Sequence, residues 1–97
     1  MAQNKINKLE NKMAEPKTKI ITDKEPTLKE MQKFVGGYIE IVYAPNGDHI
    51  ILNEEGRLNG LPINKKASEH WLGNDWDEEF NNIVGNSLIL QGKARLT

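Results

Sequence analysis

The sequence predicts one small α+β domain built on a mixed or antiparallel sheet of about four strands, with two or three short helices. Three observations lead there. The chain has 97 residues, enough for a single modest core. Runs rich in β-branched and aromatic residues, separated by glycine- and proline-containing turns, fall at 38–44, 49–53 and 87–91. Helix starts with side-chain caps stand at Thr27, ahead of the first run, and at Asn64, between the second and third.

Taken in order, residues 1–16 are rich in Lys, Asn and Glu, and only Ile6, Leu9 and Met13 form an apolar stripe. Three apolar residues support only a marginal helix, so this segment reads as a flexible or partly helical tail, with the domain proper at 17–97. Residues 17–22 (KTKIIT) read as a short strand. Thr27 and Glu30 form a capping box, which starts a helix carrying Leu28, Met31 and Val35 on one face. Gly36-Gly37 stops it. Residues 38–44 (YIEIVYA) read as a central strand, because Ile39 and Val42 point to opposite faces. Pro45-Asn46-Gly47 is a tight turn returning into a second arm at 49–53, and Arg57–Asn59 is a candidate third arm. Asn64 caps a helix over 65–72, ended by Gly73. Asp75-Trp76-Asp77-Glu78 resembles another cap and predicts a short helix to about Asn82, before a closing strand at 87–91. At least three of Gly36, Gly37, Gly47, Gly56 and Gly60 are expected to have positive φ.

Composition excludes several chemistries. There is no cysteine, which removes disulfides, thiolate nucleophiles and the usual zinc sites, and only His49 and His70 remain for metal binding. No run reaches the length of a membrane span, and the N-terminus lacks the apolar stretch of a secretory signal, so the expected compartment is the cytoplasm. Residues 1–33 carry eight lysines against five acids, and residues 34–97 carry five basic groups against nine acids. The lysines alternate with acids rather than forming one basic face, so no nucleic acid is expected as a partner.

The individual motifs argue against catalysis. A calcium loop starting at Asp75 fails, since its sixth position is Phe80 and its twelfth Asn86. Gly36-Gly37 lacks the spacing of a phosphate loop. Ser68 and His70 lie two residues apart on a helix and diverge by about 200°, so they cannot act as a pair. Glu40 within an apolar strand reads as solvent-facing or paired, with a functional carboxylate as the alternative. Of Trp71 and Trp76, one is expected in the core and the other, Trp76, at a contact surface.

Three segments carry a resemblance. Residues 28–40 read LKEMQKFVGGYIE, residues 53–64 read NEEGRLNGLPIN, and Ile83-Val84-Gly85 precedes the last strand. Together they resemble a family of small uncharacterised proteins from bacteriophages, other viruses, plasmids and Firmicutes, with the pattern LxxxQxxVGGYIE, NEEGxLxGLPxN and IxG. The likeness runs from Leu28 to about Leu90 and leaves aside the tail and the Trp71–Trp76 segment. It implies a phage-type or mobile-element accessory protein, in a family without an assigned activity.

The reading is therefore a binding protein without catalysis or cofactor. It modulates or inhibits a host protein, with Trp71, Asp75, Trp76 and Asp77 as the contact set. The alternative is a sequestering binder of a nucleotide-like signal, in which Tyr38 and Trp71 stack. In that reading Glu40, Asn53, Glu54, Asn64 and Lys65 supply polar contacts, at an interface between two copies of the chain. An enzyme would require acids and bases to converge, for example Glu40 beside His49 in a cleft.

Overall fold

The computed structural model describes residues 15–97, so the segment read as a tail, with its Ile6, Leu9 and Met13 stripe, lies outside the described residues. Four strands, β1 (Thr18–Ile21), β2 (Ile39–Tyr43), β3 (His49–Asn53) and β4 (Ser87–Leu90), form one sheet in the order β1-β4-β3-β2. β1 runs parallel to β4, and the other two pairings are antiparallel. The sheet is mixed, and the domain is α+β as predicted.

Helix α1 (Leu28–Val35) covers one face and helix α2 (Lys65–Leu72) the other. The two-residue period of the strands divides the side chains between them. Met31 and Val35 of α1 pack on Ile51, Leu88 and Leu90. On the opposite face Ala67 of α2 packs with Ile50, Leu52, Ile83 and Ile89. Alternate residues of β3 and β4 thus enter two separate cores, which explains their unbroken apolar sequences.

This arrangement corrects the placement of one strand. β2 is an edge strand, not a central one, while β4, the last strand in sequence, lies in the interior of the sheet. Glu40 gives the physical reason: its carboxylate occupies the α2 side of β2, where only an edge leaves it in water. All four residues of β4 are buried, so this strand takes the interior position.

The local capping signals are realised. Thr27 Oγ1 accepts from the Glu30 amide at 3.1 Å, and Glu30 Oε1 accepts from the Thr27 amide at 2.9 Å. That reciprocal pair holds the Glu30 carboxyl below its ordinary range, first through the Thr27 backbone bond. Gly36 ends α1 at φ 84°. Of the five glycines expected to include three with positive φ, Gly36, Gly47 and Gly60 have it. Gly37 and Gly56 serve close packing instead, since an added Cβ would stand 3.1 Å from Asn53 Nδ2 or 2.9 Å from Val84 Cγ2.

Two other expectations are overturned. No third arm forms at 57–59, where the chain closes in turns through Asn59 N–H to Glu55 O and Gly60 N–H to Arg57 O. No helix follows Asp77. Its Oδ1 accepts from the amides of Glu79, Phe80 and Asn81, at 2.9, 2.7 and 3.2 Å. The Asp77 amide meanwhile donates forward to Asn81 O, a polarity opposite to that of an α-helix. The cap is real, but it closes a loop on itself.

Gly85 tests the packing between these loops. Its φ is 78°, and an added Cβ would lie 2.7 Å from Leu61 Cδ1. Gly85→Ala is expected to destabilise by about 2 kcal/mol, combining left-handed strain with a contact that half-buried Leu61 relieves only in part. Gly60→Ala, with positive φ but open space around it, should cost about 1 kcal/mol. Urea unfolding of the two variants measures the difference, and equal losses would remove the steric part.

Candidate functional site

The three segments behind the family resemblance meet at one end of the sheet. Asn53 Nδ2 donates to Val35 O at 3.1 Å, and its Oδ1 accepts from the Glu55 amide at 2.8 Å. Ile63 bridges Val84 across the loops, and the Gly85 amide donates to Pro62 O at 2.8 Å. Asn64 is fully buried: its Oδ1 accepts from the Ala67 amide and from Thr18 Oγ1, both at 3.0 Å, while its Nδ2 donates to Gly85 O at 3.0 Å. Most of these residues build a joint between β1, α1, α2 and the approach to β4. Asn53 and Asn64 are cross-braces.

Glu40 and Glu54 are the exceptions. Glu40 pairs across the strands with Leu52, and the Glu54 amide donates to Tyr38 O at 2.9 Å. Both carboxylates therefore point to the α2 side, as diagonal neighbours on one face. Among the described residues neither takes part in a side-chain hydrogen bond or an ion pair. They flank a cavity of about 150 Å³ whose other walls include Arg57, Trp71 and Asn82. Trp71 is half-buried there, with its ring packed against the α2-side core. Arg57 donates to Phe80 O at 3.2 Å and to Asn82 O at 2.7 Å, which ties loop 54–60 to loop 76–82. Each of these tied loops presents an apolar side chain to solvent: Leu58 is 82% exposed and Phe80 77%.

Asn82 is buried, at 4% exposure. Its Nδ2 donates to Asp77 O at 2.9 Å, which fixes the orientation of the amide. Its Oδ1 then faces no donor. A buried acceptor left without a hydrogen bond is uncommon in folded proteins.

The residues expected at a contact surface are thus divided. Trp71 lines the cavity. Trp76 is half-buried at the end of a 3-10 turn, and Asp75 is exposed within that turn. Asp77 is engaged by its own loop, whose bonds, led by the Phe80 amide, hold its carboxyl down at about 2. The residues of the nucleotide reading do not share one recess. Glu40, Asn53, Glu54 and Trp71 line the cavity of about 150 Å³, whereas Tyr38 borders a separate hollow of about 290 Å³ with Gln32 and Asn59, which Asn53 also reaches. Asn64 is enclosed, and Lys65 stands exposed at the start of α2. Glu40 and His49 lie on opposite faces of the sheet, so they form no joint cleft. Ser68 is buried, donating to Asn64 O at 2.7 Å and accepting from the Ile83 amide at 2.8 Å.

A second polar cluster escaped the sequence reading. Asp48, 2% exposed, accepts from His70 Nε2 (2.8 Å), Gln91 Nε2 (2.8 Å), Arg95 (2.9 Å) and Asn46 Nδ2 (3.1 Å). Burial pushes this carboxyl up, but the four donors, led by Gln91 and Arg95, outweigh it and hold it well below the ordinary carboxylate range. The cluster fastens the hairpin turn to α2, β4 and the 92–97 segment. The only hint in the sequence was a lone acid in the turn ahead of an apolar strand.

The sequence model of a domain of unknown function, DUF3846, matches residues 5–95. The chain belongs to this family. The match also spans the Trp71–Trp76 segment and most of the N-terminal tail, beyond the range suggested by the three motifs. No curated protein and no solved structure matches the chain. No helix among the described residues is long and apolar enough to cross a membrane.

Proposed function

We propose that this chain is a small accessory binding protein, of the phage type its sequence resembles, that modulates or inhibits a host protein in the cytoplasm without catalysis. The observation supporting this reading is the face around the cavity. There Leu58 and Phe80 stand in solvent on two loops tied by Arg57, beside unpaired Glu40 and Glu54. Exposed apolar side chains around a partly desolvated polar centre match the composition of protein interfaces. In such interfaces a few anchors carry most of the affinity.

Affinity capture from host lysate, followed by calorimetry with the purified captured protein, tests this. The Leu58→Ala, Phe80→Ala double variant should keep its fold, because both side chains are exposed. Its affinity for that protein should fall at least tenfold. Capture of no specific protein, or equal affinity of wild type and variant, would count against the reading.

A further inference from the structure

We infer that the cavity between Glu40, Glu54, Trp71 and Asn82 receives a basic side chain of the partner protein, with arginine preferred. The inference rests on the reading above and adds the chemistry of what is recognised. Two carboxylates without partners line the cavity, beside the buried Asn82, whose Oδ1 lacks a hydrogen bond. A group that offers only donors answers both carboxylates, and among side chains that describes guanidinium and ammonium.

The fourth wall is an indole. Trp71 lines the cavity, and a planar guanidinium stacks on an indole better than an ammonium does. Arg57 offsets one of the two carboxylate charges, but its guanidinium is already anchored on two carbonyl oxygens, so the cavity remains net acidic. The surrounding surface agrees, since residues 34–97 carry nine acids against five basic groups. A basic partner surface would be steered to it.

Size decides against a nucleotide. Pockets for whole small-molecule ligands occupy roughly 300–1,000 Å³, whereas this cavity measures about 150 Å³. It has room for the tip of a side chain. Two carboxylates at the mouth would also repel a phosphate.

The test needs no partner protein. ¹⁵N-labelled protein is titrated with acetyl-Gly-Arg-Gly-amide, with its lysine and citrulline counterparts, with free arginine and with AMP. The arginine peptide should produce saturable shifts of the Trp71 indole N–H and the Asn82 side-chain amide, the lysine peptide weaker ones, and citrulline none. Glu40→Gln with Glu54→Gln should weaken the arginine peptide at least tenfold, and both positions are exposed, so the fold should survive. The inference is overturned if the arginine peptide gives no saturable shift at these groups. It is also overturned if citrulline binds equally, or if free arginine or AMP binds more tightly than the blocked peptide. Loss of capture through Leu58 and Phe80 without arginine binding would leave the docking face standing and remove this pocket from it.

Discussion

Asp48→Asn is expected to lower the melting temperature by roughly 12–24 °C, corresponding to a loss of about 3 kcal/mol in a domain of this size. Breaking a buried ion pair by removing one partner typically costs ~3–5 kcal/mol. The Arg95 side chain is 40% exposed, which places the loss at the lower end. Asparagine keeps the shape but removes the charge and half of the accepting capacity that satisfies His70, Gln91, Arg95 and Asn46. Thermal and urea unfolding followed by circular dichroism measure it, and a loss below about 1 kcal/mol would show that the cluster contributes little. Acid supplies an independent check. The folded-state pKa of Asp48 lies below its unfolded value, so this stabilisation is present above about pH 4 and disappears as pH falls below it. The curves of wild type and Asp48→Asn should converge in acid and stay apart near neutrality.

Asn64→Ala is expected to cost about 3 kcal/mol. One part is the N-cap of α2, where loss of the bond to the Ala67 amide costs about 1 kcal/mol. The rest comes from Gly85 O and Thr18 Oγ1, which lose a partner in a site that water cannot freely enter, at roughly 1–3 kcal/mol. Asn64→Ser separates the two parts. A serine hydroxyl restores the cap but does not reach the other elements, so it should recover about 1 kcal/mol and no more. Full recovery by serine would mean that Asn64 acts only as a cap. Urea unfolding at constant m-value compares all three proteins.

Features set by neighbours in sequence could be read before the structure was known. The Thr27–Glu30 box, the turn at 45–47 and the Asn64 cap each depend on residues within four positions of one another. The identity of the interior strand did not follow, because pairing is decided at long range. YIEIVYA has the stronger β composition, yet Glu40 consigns it to an edge, while SLIL is buried on both faces. Asp77 shows a local signal with two outcomes, since the same cap opens a helix or closes a loop. At the site, Glu40, Glu54 and Trp71 were each conspicuous: the nucleotide reading already joined all three, while the protein-contact reading took only the tryptophan. Only the strand register and the packing of α2 bring them to a common cavity. Arg57 and Asn82 went unnoticed because their roles depend on carbonyl oxygens some twenty residues away or more, or on a missing partner.

The parallel pairing of β1 with β4 constrains how the domain assembles. The hairpin of β2 and β3 closes over a few residues and can form within microseconds. β4 must then be brought in across α2, and only afterwards does β1 have an edge to join. The join spans 69 residues, as the bond from the Lys17 amide to Asn86 shows. Closing so long a loop is entropically costly and is rewarded late, which slows folding relative to a chain of local contacts. During synthesis the segment carrying Ile20 and Ile21 leaves the ribosome long before its partner strand exists. Through that interval its backbone donors and acceptors are open to any other extended chain, and the neighbouring Lys17, Lys19 and Lys24 supply the charge that discourages such pairing.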